Sequence, residues 1–221
     1  LWEVFEHANG TPPGKRIRLG IIGFGGEGEA LIRHAGFAHP EWVENARKAR
    51  DEDPRDKELE TYLRQDDLNV LVTAVCDVFD VRADRGIAAS QVDVRPGGAA
   101  ANPPAKRFRR YTDLLQSGEV DAVIIATPDH WHARMTIDAA SMGIPVYCEK
   151  CMTRTEAEAH AMYDAVRRSK IVFQLGHQNR QSESHQKARE VVAANIPGKV
   201  TLVEATTNRN SPWGAWVWDI H

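Results

Sequence analysis

The chain has 221 residues, enough for one large α/β domain or for one domain of ordinary size and part of another, so a core does not depend on disulfides. Its 28 Lys and Arg against 31 Asp and Glu give a net charge of -3, which leaves no basic field to hold a phosphate backbone and argues against nucleic acid as a partner. Hydrophobic residues at 42%, with 16 Gly and 11 Pro, are the usage of a folded globular protein. Apolar runs such as 123–126 are far shorter than a membrane span, so no membrane is expected, and three Cys build no disulfide framework. The first residue is Leu1, not Met. A trimmed N-terminus is therefore expected, and the compartment stays open between cytoplasm and bacterial periplasm.

Residues 1–15 read as an N-terminal arm. From Lys15 to Gly23 the chain turns from charge to an apolar run and stops at glycine, as a strand buried on both faces does. Gly23, Gly25 and Gly28 then spell G-x-G-x-x-G, with Gly26 between them, ahead of a helical pattern. Each glycine has a separate task in a dinucleotide site: Gly23 turns the chain, Gly25 lets a diphosphate approach the backbone, and Gly28 lets the helix sit close on its strand. Phosphates would lie on the helix N-terminus, with Glu27 and Glu29 turned to solvent. A glycine-rich turn without a ligand is the alternative.

Residues 41–67 carry 10 acidic and 6 basic side chains, with only Trp42, Val43, Leu59, Tyr62 and Leu63 to bury. They predict a charged helical insertion at the surface, a solvated face or else a partner-docking one. A second strand over 68–76 ends in Asp77. A carboxylate there accepts from the adenosine ribose hydroxyls and repels a 2′-phosphate, which favours NAD over NADP, while Arg82 keeps NADP as the alternative. The usual spacing from the glycines is about 20 residues; here Gly23 and Asp77 are 54 apart, an excess the insertion accounts for. A plain turn or helix-cap role is the other reading of Asp77.

Residues 94–104 read as loop. Strands follow over 106–111, 121–128, 144–148 and 171–175, with helices over 132–142 and 153–169. The second of these opens with Thr153-Arg154-Thr155-Glu156, a capping-box spacing. Strand and helix alternate, which predicts a Rossmann-type doubly wound parallel α/β sheet with its ligands at the carboxyl ends of the strands. There stand Pro128-Asp129-His130-Trp131-His132, Glu149-Lys150-Cys151 and Gly176-His177-Gln178-Asn179-Arg180. Cys148 and Cys151 also spell C-x-x-C, open to thiol chemistry, and His130 with His132 could pair at a metal or in hydrogen bonds; no metal is expected.

The glycine turn, Asp77, ATPDHWHA at 126–133, VYCEK at 146–150 and GHQNR at 176–180, in this order between about residues 16 and 207, resemble the Gfo/Idh/MocA family, named for glucose-fructose oxidoreductase and inositol dehydrogenase. The resemblance implies an NAD(P)-binding domain over 16–180, followed by an open, mostly antiparallel sheet domain that recognises substrate and forms a homo-oligomer. It also implies oxidation or reduction of a sugar, cyclitol or similar polyol, with NAD-dependent glycoside cleavage through transient redox chemistry as a second activity. Thr127, Pro128, His130, Trp131, His132, Glu149 and Lys150 would line the cofactor, and Lys150 would stand between nicotinamide and substrate, suited to exchange a proton with a hydroxyl. His177 would join it as a catalytic group, and with Arg180 reach toward substrate, though each could equally be a structural donor. Where the family carries proline after that lysine, Cys151 stands here. A cis peptide would cost a non-proline residue about 2.5 to 4 kcal/mol, so a trans bond and a displaced Lys150 are the alternative to the family's geometry.

Residues 181–221 read as a linking helix over 184–194 and a half-buried strand over 199–207, the start of a truncated second domain. Trp213, Trp216 and Trp218 would pack within it or stack on a sugar. A cofactor-binding module without chemistry is the reading from another class.

Overall fold

The computed structural model describes residues 16–95 and 102–204. The arm at 1–15, the middle of the 94–104 loop, the end of the 199–207 strand and the three C-terminal tryptophans lie outside the described residues. The chain divides into two units, residues 1–176 and 177–221.

The first unit alternates strand and helix in this order: β1 (Ile17–Ile22), α1 (Gly26–His34), α2 (Pro40–Glu52), α3 (Glu58–Leu63), β2 (Val70–Cys76), α4 (Asp80–Ser90), β3 (Lys106–Phe108), α5 (Tyr111–Gln116), β4 (Ala122–Ile125), a 3-10 turn (Asp129–Trp131), α6 (His132–Ser141), β5 (Val146–Glu149), α7 (Glu156–Ser169) and β6 (Phe173–Gly176). All six strands are parallel, in the order β3-β2-β1-β4-β5-β6. From β1 the chain steps outward to β3, then crosses back to β4 on the other side of β1. Loops on the two sides of that reversal therefore diverge, and open a crevice above the carboxyl ends of β1 and β4.

Period-two alternation explains why both faces are covered. Ile21 packs with Leu19, Val75, Ile124 and Ile32 of α1 on one side of the sheet, whereas its neighbour Ile22 packs with Cys76, Ile125, Cys148 and Met162 of α7 on the other. Burying each such isoleucine contributes about 1.5 to 3 kcal/mol.

The charged stretch folds as α2 and α3 and holds a small core of its own, in which Ala38, Val43, Ala46, Leu59 and Tyr62 are buried. Tyr62 donates its hydroxyl to the carbonyl of Gly36 at 2.9 Å, which ties this core to the end of α1.

Several expectations shift locally. The capping box of α7 is Thr155 with Glu158, two residues later than its predicted place, because Thr153 spends its hydroxyl on the carbonyl of Thr155. The third strand ends at Phe108, since Arg110 already caps α5.

In the second unit a 3-10 turn (Gln178–Gln181) leads into α8 (Glu183–Ala193). The predicted strand is not formed in its described part, residues 199–204: the successive Leu202 and Val203 are 80% and 81% exposed, so the sequence alternation meets no sheet that would bury one face.

Candidate functional site

The crevice begins at the glycine turn. Gly23 has φ +89, and a Cβ there would stand 2.7 Å from the carbonyl oxygen of Ala126 at the end of β4. Gly28 leaves still less room: its Cβ would fall 2.2 Å from the carbonyl oxygen of Gly23, so α1 reaches its strand only because both residues lack side chains. Gly25 caps α1 with no side-chain hydrogen bond to the first turn, and Gly26 is exposed with nothing within 4 Å of its Cβ position. The N–H groups of the first turn thus have no capping side chain at the positive end of the helix dipole, and are of the kind of donor set that a diphosphate requires. These residues fit a dinucleotide.

Asp77 is 7% exposed and holds this turn in place, its Oδ2 accepting from the Phe24 amide at 2.7 Å and its Oδ1 from the Phe79 amide at 2.9 Å. Phe79 caps α4, so one carboxylate links the glycine turn to the next helix. Each oxygen keeps a further lone pair for a ribose hydroxyl. Of the two acidic residues in α1, Glu27 is exposed as expected, but Glu29 is not turned to solvent. Both its oxygens are taken by Arg85, at 2.6 and 2.9 Å, because α4 brings that guanidinium alongside. The pair cancels a negative charge that would oppose an anion at the helix end. Arg82, one helical turn earlier, lies 3.5 Å from the Cβ position of Gly25.

Across the crevice stand the ends of β4 and β5. Thr127 and Pro128 lead into the 3-10 turn, where His130 is exposed and Trp131 is 44% exposed, edge-on to Tyr111 with ring centroids 6.3 Å apart. His132 corrects the expected cofactor contact. Only 1% exposed, its ring is enclosed between the carbonyl oxygens of Thr127 and Cys151, 2.7 Å from each, so it presents no surface to a ligand. Among the described residues no group of three His, Cys, Asp or Glu could hold a metal ion.

Lys150 is exposed at the end of β5, and among the described residues its side chain has no hydrogen-bond or ion-pair partner. The Lys150–Cys151 peptide is cis, so the trans alternative does not arise. Glu149, in contrast, is 5% exposed, with Oε1 accepting from the Tyr147 hydroxyl at 3.1 Å and Oε2 from the Lys150 amide at 3.0 Å. It therefore supports the lysine's backbone more than it faces the crevice. Burial, and then the Glu149 charge, hold the Tyr147 hydroxyl well above the usual phenol range. Gly176 on β6 makes the space, since a Cβ there would fall 2.4 Å from both Glu149 Oε1 and the Tyr147 hydroxyl. Cys148 and Cys151 are both free; burial pushes the Cys148 thiol up to about 12, while Cys151 is exposed, so the two are not a matched redox pair.

His177 and Arg180 open the second unit, both exposed, with the Arg180 amide donating to the His177 carbonyl at 3.0 Å. Sequence reasoning missed Arg85, Tyr147 and Gly176. Tyr147 had a readable signal, because residues two apart on a strand share a face; Arg85 is 56 residues from Glu29 and had none.

Residues 17–177 match the family model described as an oxidoreductase family with an NAD-binding Rossmann fold, and the chain belongs to that family. It is 28% identical over 188 residues to the rhizopine catabolism protein MocA of Rhizobium meliloti, covering 85% of this chain and 46% of that one. An inositol 2-dehydrogenase of Leifsonia xyli subsp. xyli is 32% identical over 110 residues, 49% of this chain and 32% of its own. In fold it resembles the crystal structure of myo-inositol 2-dehydrogenase from Lactobacillus plantarum, with a TM-score of 0.61 at 22% identity over 84% of this chain and 43% of that one. The chain spans less than half the length of these relatives.

Proposed function

We propose that this member of the oxidoreductase family binds NAD along the crevice from Asp77 to Lys150 and, in the protein that carries it, serves the transfer of a hydride to or from a secondary alcohol of a sugar or cyclitol. The observation that carries the reading is an exposed Lys150, without a side-chain partner among the described residues, at the end of β5, on the same sheet edge as a glycine turn that no side chain caps. Inositol dehydrogenases among the relatives support the substrate class.

On this reading the first turn of α1 binds the diphosphate and Asp77 accepts from the adenosine ribose, which favours NAD over NADP. The nicotinamide, when bound, supplies the hydride acceptor or donor at its C4. Lys150, as the neutral amine, takes the hydroxyl proton on Nζ as the carbonyl forms, and as the ammonium returns it in the reverse direction. Thr127, Pro128, His130 and Trp131 wall the crevice, and Glu149 steadies the Lys150 amide. His177 and Arg180 serve the substrate, and the protein assembles as a homo-oligomer through its second domain.

Purified protein mixed with NAD and a panel of polyols, followed by nicotinamide absorbance, tests this. Reduction of NAD by at least one polyol is expected. Absence of NAD binding would overturn the proposal, and sugar release from glycosides with no net NADH would redirect it to glycoside cleavage.

A further inference from the structure

The ladder between β4 and β5 ends at the pair Ile125 and Cys148. Beyond it the two backbones separate into the Thr127–Pro128 turn and the Lys150–Cys151 turn, and no further rung joins them. The His132 ring stands in that gap, with Nε2 2.7 Å from the Thr127 carbonyl oxygen and Nδ1 2.7 Å from the Cys151 carbonyl oxygen. A carbonyl oxygen only accepts, so the ring donates to at least one of the two, and to both when each nitrogen carries its N–H. Other side chains nearby do not duplicate the link: Thr127 turns its hydroxyl to Met135 Sδ at 3.6 Å, and Glu149 accepts from the Tyr147 hydroxyl and the Lys150 amide, both on the β5 side of the gap.

We infer that His132 is a positioning residue for Lys150, cross-linking the ends of β4 and β5 past their last ladder pair and, by holding the Cys151 carbonyl, setting the direction in which Lys150 leaves the sheet. The inference rests on the proposed role of Lys150. Because the ring is enclosed, it acts through the backbone and touches neither substrate nor cofactor. A rigid ring with nitrogens on opposite sides spans two carbonyls that face each other; an amide or hydroxyl of similar reach holds one of them.

Two measurements test it. In protein labelled with ¹⁵N in its histidine rings, His132 should show a ring N–H protected from solvent exchange, assigned by its loss in His132→Gln; a ring with no protected N–H overturns the inference. With the polyol that the unaltered protein oxidises, His132→Phe should lower kcat about 100-fold, as displacement of a reacting group by roughly 1 Å does, with NAD affinity near that of the unaltered protein. His132→Gln, which keeps one donor, should lose less. A residue needed only for stability would lower the Tm of both variants but leave kcat per folded molecule unchanged, and that result overturns the inference. Should His132→Phe not fold, the glutamine variant and the protection of the ring N–H decide. If the unaltered protein binds no NAD, the proposed function fails, while the protection of the ring N–H still tests the cross-link.

Discussion

The two walls of the crevice are built by opposite means. At the glycine turn, α1 meets β1 because side chains are missing, with Gly28 lying where any Cβ would collide with the Gly23 carbonyl. At the ends of β4 and β5 the backbone is held by side chains that are present: the buried His132 and Glu149 and the partly buried Tyr147 all spend their polar atoms on or beside the main chain. Close contact by omission fixes a position sterically, whereas buried polar links fix it by hydrogen bonds that cost free energy when left unmade. The first wall should resist an atom added at Gly23 or Gly28, and the second a polar atom removed from its links.

The largest effect should come from the residue the second wall supports. Lys150→Ala should lower kcat by about 100- to 10,000-fold, with stability changed by less than about 0.5 kcal/mol because the side chain is exposed and has no partner among the described residues. Nicotinamide absorbance and thermal unfolding read the two quantities separately. Next, Gly28→Ala should destabilise by about 3 kcal/mol and abolish measurable NAD binding, because the atom it meets is backbone and cannot swing aside. Gly26→Ala, two residues away with open space around it, should change stability by less than about 0.5 kcal/mol in the same urea titration. Equal effects at the two positions would break the steric account.

On the other wall, Tyr147→Phe removes one donor from a buried carboxylate and should cost about 1 kcal/mol in the same titration. The thiols give the smallest readout. At pH 8 a thiol reagent should label Cys151 in the native state, while Cys76 and Cys148, both pushed up to about 12 by burial, react only after unfolding. Since both folded values lie above the ordinary 9.0, the unfolded chain loses these protons first. Their contribution is full below pH 9 and is lost as pH rises toward about 12. Native Cys148 labelled at pH 8 would contradict the buried state of β5.

The first wall was legible in the sequence because only glycine can do what it does, and because strand, turn and helix follow one another locally. Most strands were legible too, as apolar runs, and those predicted at β1, β4 and β6 stop at glycine or proline. Two helices were not. The buried face of α4 is Ala83, Gly86, Ala89 and Ser90, small residues that leave little contrast with the exposed face and so no clear period; Gly86 is needed because a Cβ there would fall 2.8 Å from Val75. In α5, six residues are too few to show one. The second wall was legible only as a list of residues. That His132 turns inward while Trp131 beside it faces out depends on carbonyls 5 and 19 residues away, which no local pattern announces.

The helical pair α2–α3 enters the chain between α1 and β2, a connection that runs along the amino edge of a parallel sheet. It lengthens the path from Phe24 to Asp77 to 53 residues, yet the two remain joined by a 2.7 Å hydrogen bond. The architecture thus has a blind side, where material is added without moving the parts that meet a ligand, and counting residues between motifs measures that side alone.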